Sequence, residues 1–341
     1  MTKLVNTLTF PRLLLQHAKT IPHRPAYREK YLGIWQVTSW AQNLEQIKHL
    51  ACGLASSGFK RGMNLAVIGE NRPQLYQAMV AAQALGGVPV PLYQDAVAAE
   101  MIHVLNDAAI SFAVVEDQEQ VDKLLEIKDQ IPTLTTIIYE DPKGLNDYIQ
   151  SDLHSLKQIQ LLGKAFSEEH PEFFLTELEE GKATDLSVIL YTSGTTGKPK
   201  GVAHTHSNFI LTGQNSSDFD GLNDKDNILA YLPMAWVGDY LFSFAQAMVN
   251  GLTVNCPESK ETVMSDMREI GPSYYFAPPR VFEGLLTQVT IRMEDAGSFK
   301  RKLFEKAIAF AKKVGSDILD GKPVGVLDRL HYAFYNLTIY T

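Results

Sequence analysis

Along the first 140 residues, short apolar runs alternate with stretches whose apolar positions recur every three or four residues. The runs Leu65-Ala66-Val67-Ile68, Val88 to Leu92, Ser111 to Val115 and Thr135 to Tyr139 read as buried strands. Between them lie helical patterns with their own start and stop signals. Ser39 and Gln42 form a capping box ahead of a stripe of Leu44, Ile47, Leu50, Ala51 and Leu54, which stops at Gly58. Pro73 opens a helix that runs from Gln74 to Leu85 and ends at Gly86-Gly87; further helices are predicted over Val97 to Asp107 and Gln118 to Ile127. Strands separated by helices of this length make βαβ units, and βαβ units imply a parallel sheet. Ahead of them stand an amphipathic piece (Leu13, Leu14, Leu15, His17), a turn through Ile21 to Pro25, a strand at Ala26 and Tyr27, and a hairpin-like return over Lys30 to Gln36.

The pattern then weakens. From Leu145 to Thr184 it is irregular, with six glutamates between Glu168 and Glu180, and reads as a solvated connector. Beyond residue 185 the alternation returns. Strands are predicted at Leu186 to Leu190, Val202 to His206, Asn227 to Tyr231, Leu252 to Cys256 and Ser273 to Ala277, with helices from Asn208, over Ala235 to Val249 and over Glu261 to Ile270. The tail from Phe282 to Tyr340 reads as three helices broken at Gly315 and at Gly321-Lys322-Pro323. The expectation is an α/β protein of layered sheets flanked by helices. Its first subdomain would cover 1–165, and its second 166–341 would carry a helical insertion over 285–340.

One stretch does not serve packing. Tyr191-Thr-Ser-Gly-Thr-Thr-Gly-Lys-Pro-Lys-Gly201 joins two predicted strands and holds three glycines, four hydroxyl side chains and two lysines in eleven residues. Glycines let backbone N–H groups converge on an anion. The donors Thr192, Ser193, Thr195 and Thr196, the backbone at Gly194 and Gly197, and the charges of Lys198 and Lys200 then suit a nucleotide polyphosphate. The same residue types also make ordinary turns, so a plain surface hairpin is the alternative. The glycine spacing is not that of a Walker loop, Pro199 stands where that motif needs Ser or Thr, and no G-x-G-x-x-G occurs. A strand–loop–strand arrangement also offers no helix dipole to the phosphates.

Charge and composition narrow the field. A net charge of −8 over 341 residues argues against nucleic acid as a partner. The two cysteines, Cys52 and Cys256, lie far apart and imply neither a disulfide framework nor a metal cluster. His204 and His206 would share a strand face, but a zinc site needs three or four ligands and none lies nearby in sequence, so no metal site is expected. No signal peptide and no membrane-spanning run is read from the sequence, and a cytoplasmic protein is expected, with peripheral membrane contact left open.

The loop Tyr191 to Val202 resembles, without a break, the signature loop of the adenylate-forming superfamily, which includes acyl-CoA synthetases, luciferases and peptide-synthetase adenylation domains. Asn71-Arg72-Pro73 and Gly87 to Tyr93 resemble other recurring segments of that group. Ala277-Pro278-Pro279-Arg280-Val281-Phe282-Glu283, followed by a long helical insertion, is most similar to the long-chain acyl-CoA synthetases. The resemblance implies that ATP, Mg2+ and CoA act with a long-chain fatty acid: an acyl-adenylate forms, and CoA then takes the acyl group. It also implies that the loop clasps the β- and γ-phosphates. Trp236, where the superfamily usually has histidine, and Phe276 are the candidate substrate-binding residues.

The chain also departs from the family pattern. It contains no Tyr-Gly-x-Thr-Glu, whose glutamate holds magnesium, and no Thr-Gly-Asp, whose aspartate holds the ribose; the C-terminal domain with its catalytic lysine is not found either. No catalytic residue is therefore named, and the chain alone is expected to be an inactive N-terminal part. The alternatives are a non-catalytic binding protein and an adenylating enzyme for another carboxylic acid.

Overall fold

The computed structural model describes residues 8–192 and 197–340. They fall into two compact units, one ending at Tyr275 and the other beginning at Phe276.

The first unit is built on two sheets and a hairpin. One sheet is wholly parallel, in the order β4 (Val88–Leu92), β3 (Asn64–Ile68), β5 (Ile110–Val115), β6 (Thr136–Tyr139), β7 (Leu153–Ser155). Both faces are covered, as a parallel sheet requires. Leu65, Val67, Phe112 and Val114 point into a core shared with helices Phe10–Thr20, Trp40–Ser56 and Pro73–Ala84. Ala66, Ile68, Ala113 and Val115 point the other way, under helices Ala98–Asp107 and Gln118–Ile127. The Ser39–Gln42 capping box forms as the sequence predicts.

The second sheet runs β10 (Asn227–Leu229), β11 (Thr253–Cys256), β1 (Pro25–Tyr31), β2 (Ile34–Ser39). β1 and β2 are an antiparallel hairpin, and β1 pairs in parallel with β11, Tyr27 opposite Val254. Strands more than two hundred residues apart thus share one sheet. Lys30 on β1 locks this junction through Asp266 (2.8 Å) and Glu269 (2.7 Å) on helix Val263–Ile270. The two sheets meet where Arg72 leaves β3. Its guanidinium bonds Glu116 beyond β5 (2.8 Å) and the carbonyls of Pro257 and Glu258 beyond β11 (2.9 Å each).

Several elements differ from the sequence reading. The acidic stretch is not a connector: it contains β7 and helices Leu156–Glu169 and Phe173–Glu180. Its glutamates line the outer faces, while Leu156, Ile159, Gly163, Phe174 and Leu178 are buried against the core. The boundary expected at 165/166 falls inside the first of these helices. Ser273 to Ala277 is not a strand but a single bridge from Tyr274 to Ile228, since β10 has only three residues and Pro278 and Pro279 donate no N–H. The expected helix over Ala235 to Val249 starts at Val237 and passes through a π-helical stretch, Tyr240–Ala245.

The second unit consists of helices Pro279–Glu294, Ser298–Leu319 and Val326–Tyr335 and a π-helical end, Asn336–Tyr340. Helix Ser298–Leu319 runs straight through Gly315. A single glycine costs a helix only about 1 kcal/mol relative to alanine, too little to break a helix of this length.

Candidate functional site

The carboxyl ends of four strands converge in the first unit. Gly69-Glu70-Asn71 follows β3, Tyr93-Gln94-Asp95 follows β4, Tyr231, Pro233 and Met234 follow β10, and Pro257 and Lys260 follow β11; together they line one crevice. Open α/β sheets bind ligands at such carboxyl ends. Lys260 and Asp95 bridge its rim at 2.7 Å, and Tyr231 stacks on Tyr275 with ring centroids 5.4 Å apart.

The crevice wall is fixed by a buried polar network that the sequence did not announce. Asn71 Nδ2 donates to the carbonyl of Leu232 (2.9 Å) and to Asp239 (3.0 Å), and the Tyr76 hydroxyl donates to Asp239 (2.8 Å). Asp239 sits at the start of the π-helical run and is 1% exposed. Burial raises its pKa to about 7, against the pull of the hydrogen bonds from Tyr76 and Asn71. Segment 232–236 is thereby held to the end of β3.

Beside the crevice stands the hairpin β8 (Leu186–Thr192) and β9 (Lys200–Thr205), with Tyr191 opposite Gly201 and Thr192 opposite Lys200. Its root is set in the core: Gln83 donates to the carbonyl of Ser187 (2.7 Å), as does the Tyr240 hydroxyl (3.2 Å). Its tip is open. Thr192, Gly197, Lys198 and Lys200 are all exposed, and Gly197 has φ +97°, a conformation that side chains disfavour. The candidates Ser193, Gly194, Thr195 and Thr196 lie outside the described residues.

Other sequence candidates land elsewhere. Trp236 caps the helical run, its carbonyl accepting from Asp239 N (3.0 Å), and its ring lies over Gly238, whose absent Cβ would meet ring atoms at 2.3 Å. Its neighbours Pro233 and Met234 line the crevice, whereas Trp236 is not among the lining residues. Phe276 is the first residue of the second unit. Tyr240 and Phe244, on the helical run that Trp236 caps, are core residues, ringed by Phe10 and Phe209. His204 and His206 do not share a strand face: His206 begins helix His206–Asp220, is buried, and accepts from Phe10 N through Nδ1 (3.3 Å). Burial lowers its pKa to about 4.

A parallel sheet joined to a second mixed sheet, with a Gly/Thr/Lys hairpin beside their carboxyl ends, is the architecture of the N-terminal domain of adenylate-forming enzymes. The sequence profile of the AMP-binding enzyme family matches residues 14–320, and the chain belongs to that family. Among its curated relatives is the human long-chain-fatty-acid–CoA ligase ACSBG2, 26% identical over 321 residues, which cover 92% of this chain and 47% of that protein. The rat ACSBG2 is 28% identical, with 98% and 50% covered. The chain thus spans about half the length of these relatives. Two solved structures share the fold at a TM-score of 0.69. One is a long-chain-fatty-acid–CoA ligase, FadD1, from Archaeoglobus fulgidus (19% identity, 85% of this chain and 55% of that one). The other is the anthranilate CoA ligase AuaEII in complex with anthranoyl-AMP (17%, 80% and 50%).

Proposed function

We propose that the chain is the ATP-phosphate-binding portion of an AMP-forming ligase that activates a long-chain fatty acid and passes it to CoA. The observation that carries this reading is the hairpin: an unbroken Tyr191–Gly201 signature whose arms emerge beside the crevice formed by four strand ends. In the reaction, a carboxylate oxygen of the acid attacks the α-phosphorus of ATP and pyrophosphate leaves. The CoA thiolate then attacks the acyl carbon and AMP leaves. Lys198 and Lys200 stand exposed on the loop's second arm, where they neutralise the departing pyrophosphate, and Thr192 offers a hydroxyl from the first arm. Ser193, Thr195 and Thr196 would add donors by their place in the sequence.

Among the described residues, no three of His, Cys, Asp and Glu converge as cation ligands. Magnesium enters on the ATP phosphates as part of the substrate, and no step is assigned to a protein ligand for it. Trp236 is the proposed acyl-group contact of the first unit, through the segment that walls the crevice, and Phe276 is a candidate by its place in the sequence alone.

A second reading is an adenylating enzyme for an aryl or amino acid. The departure at Trp236, where the superfamily usually has histidine, is what keeps this reading open. Binding separates the two readings without requiring turnover. The chain should bind Mg–ATP, and should bind a palmitoyl-sulfamoyl adenosine more tightly than an anthraniloyl one. Preference for the aryl analogue would select the second reading, and absence of Mg–ATP binding would end both.

A further inference from the structure

The hairpin needs more than its root in the core. Beyond Ser187 its arms run past helix Ala98–Asp107, which belongs to the parallel sheet, and between them lies an apolar groove of about 210 Å³. Met101, Val104 and Tyr93 line that groove against Tyr191, Thr192 and Pro199, so apolar packing alone leaves space under the hairpin. Two polar contacts cross it. His103 Nε2 lies 2.9 Å from the Pro199 carbonyl, and the Tyr191 hydroxyl donates to Asp107 Oδ2 at 2.6 Å. Because a carbonyl only accepts, Nε2 carries the proton in this bond.

These contacts share a geometry. His103 and Asp107 are four residues apart on one helix and so project from one face. One takes the arm that returns from the loop, at Pro199; the other takes the arm that enters it, at Tyr191. Gly201 completes the arrangement. It is the cross-strand partner of Tyr191, and a Cβ there would come within 2.8 Å of Ile189 Cγ2 and 3.0 Å of the Tyr191 ring. The bare glycine lets the tyrosine lean across β9 toward Asp107.

We propose that His103 and Asp107 are positioning residues that clamp the two arms of the β8–β9 hairpin and so set where Thr192, Lys198 and Lys200 stand when phosphate arrives. This rests on the phosphate-binding reading of the loop. Neither residue touches the ligand; both act by restricting the hairpin before binding, which lowers the ordering that binding itself demands.

The test uses His103→Ala, His103→Gln, Tyr191→Phe and Lys200→Ala in the full chain, titrated with Mg–ATP. Backbone hydrogen exchange over 186–205 is measured without ligand. His103→Ala and Tyr191→Phe should each weaken Mg–ATP about fivefold to tenfold, the loss expected when one ordinary hydrogen bond goes. They should also speed exchange in the hairpin while leaving helix Pro73–Ala84 unchanged. His103→Gln, whose amide can still donate to Pro199, should recover most of both effects. If Lys200→Ala weakens Mg–ATP while the clamp variants neither weaken it nor speed exchange, the clamp is refuted and the phosphate reading stands. If Mg–ATP binding is absent or indifferent to Lys200→Ala, the phosphate reading fails. The exchange data then still decide whether His103 and Asp107 hold the hairpin, and unchanged exchange overturns the proposal outright.

Discussion

Replacing Asp239 with asparagine should stabilise the first unit at neutral and alkaline pH, although it removes a charged partner from a buried network. Asp239 is almost wholly buried, and burial raises its pKa from 3.8 to about 7, outweighing the hydrogen bonds from Tyr76 and Asn71. Below pH 3.8 the carboxyl is protonated in both folded and unfolded chains, and the group imposes no penalty. As pH rises, the unfolded chain releases its proton first, so stability falls until the native group also ionises near pH 7. Across that window the folded chain holds one proton more than the unfolded chain, which costs about 1.4 kcal/mol for every pH unit. The full penalty is then about 4 kcal/mol, of which about 2 kcal/mol accrues between about pH 5.5 and pH 8. Asparagine does not titrate, and its oxygen can still accept from Tyr76 and Asn71. Urea unfolding of wild type and Asp239→Asn, followed by fluorescence of the buried Trp40, should therefore give a difference that grows in the variant's favour by about 2 kcal/mol from about pH 5.5 to pH 8. A pH-independent difference, or one that grows against asparagine, would refute the reasoning. It would mean that the native carboxylate is held charged by its hydrogen bonds.

Other expectations follow from packing and charge. Gly163→Ala should destabilise the protein by about 2 kcal/mol or more, because its Cβ would lie 1.7 Å from the His49 carbonyl where two helices touch. Gly284→Ala, on an open helix face with nothing within 4 Å, should instead add about 0.5–1 kcal/mol; thermal melts of the pair test both signs. Burial raises both thiols, Cys52 to about 11 and Cys256 well above the usual thiol range, so neither should react with a maleimide in the native state at about pH 8, and both should react in urea. Lys200→Ala should weaken Mg–ATP by about tenfold to a hundredfold, the range for a charged hydrogen bond, and unchanged affinity in a calorimetric titration would count against the phosphate assignment.

The periodicity of residues 39–139 was enough to place every helix and strand of the parallel sheet in that span. Each of those elements signals itself locally, through caps, Pro or Gly at its ends and a single apolar period. The family signature was legible for the same reason: the stretch Tyr191 to Val202 is contiguous, and its pattern lies in its composition. In the acidic stretch 145–184 the glutamates mask a helical phase that Leu156, Ile159 and Gly163 carry at helical spacing. What only the tertiary structure decided is whatever joins residues distant in the chain. β1 pairs with β11 because backbone hydrogen bonding is blind to sequence separation. Arg72 ties two sheets through carbonyls that no motif marks. Asn71, Tyr76 and Asp239 form one network from three segments, and His103 and Asp107 reach a hairpin about ninety residues further on. Local pattern fixes an element's period and its ends, but it carries no information about which face of another element will lie opposite.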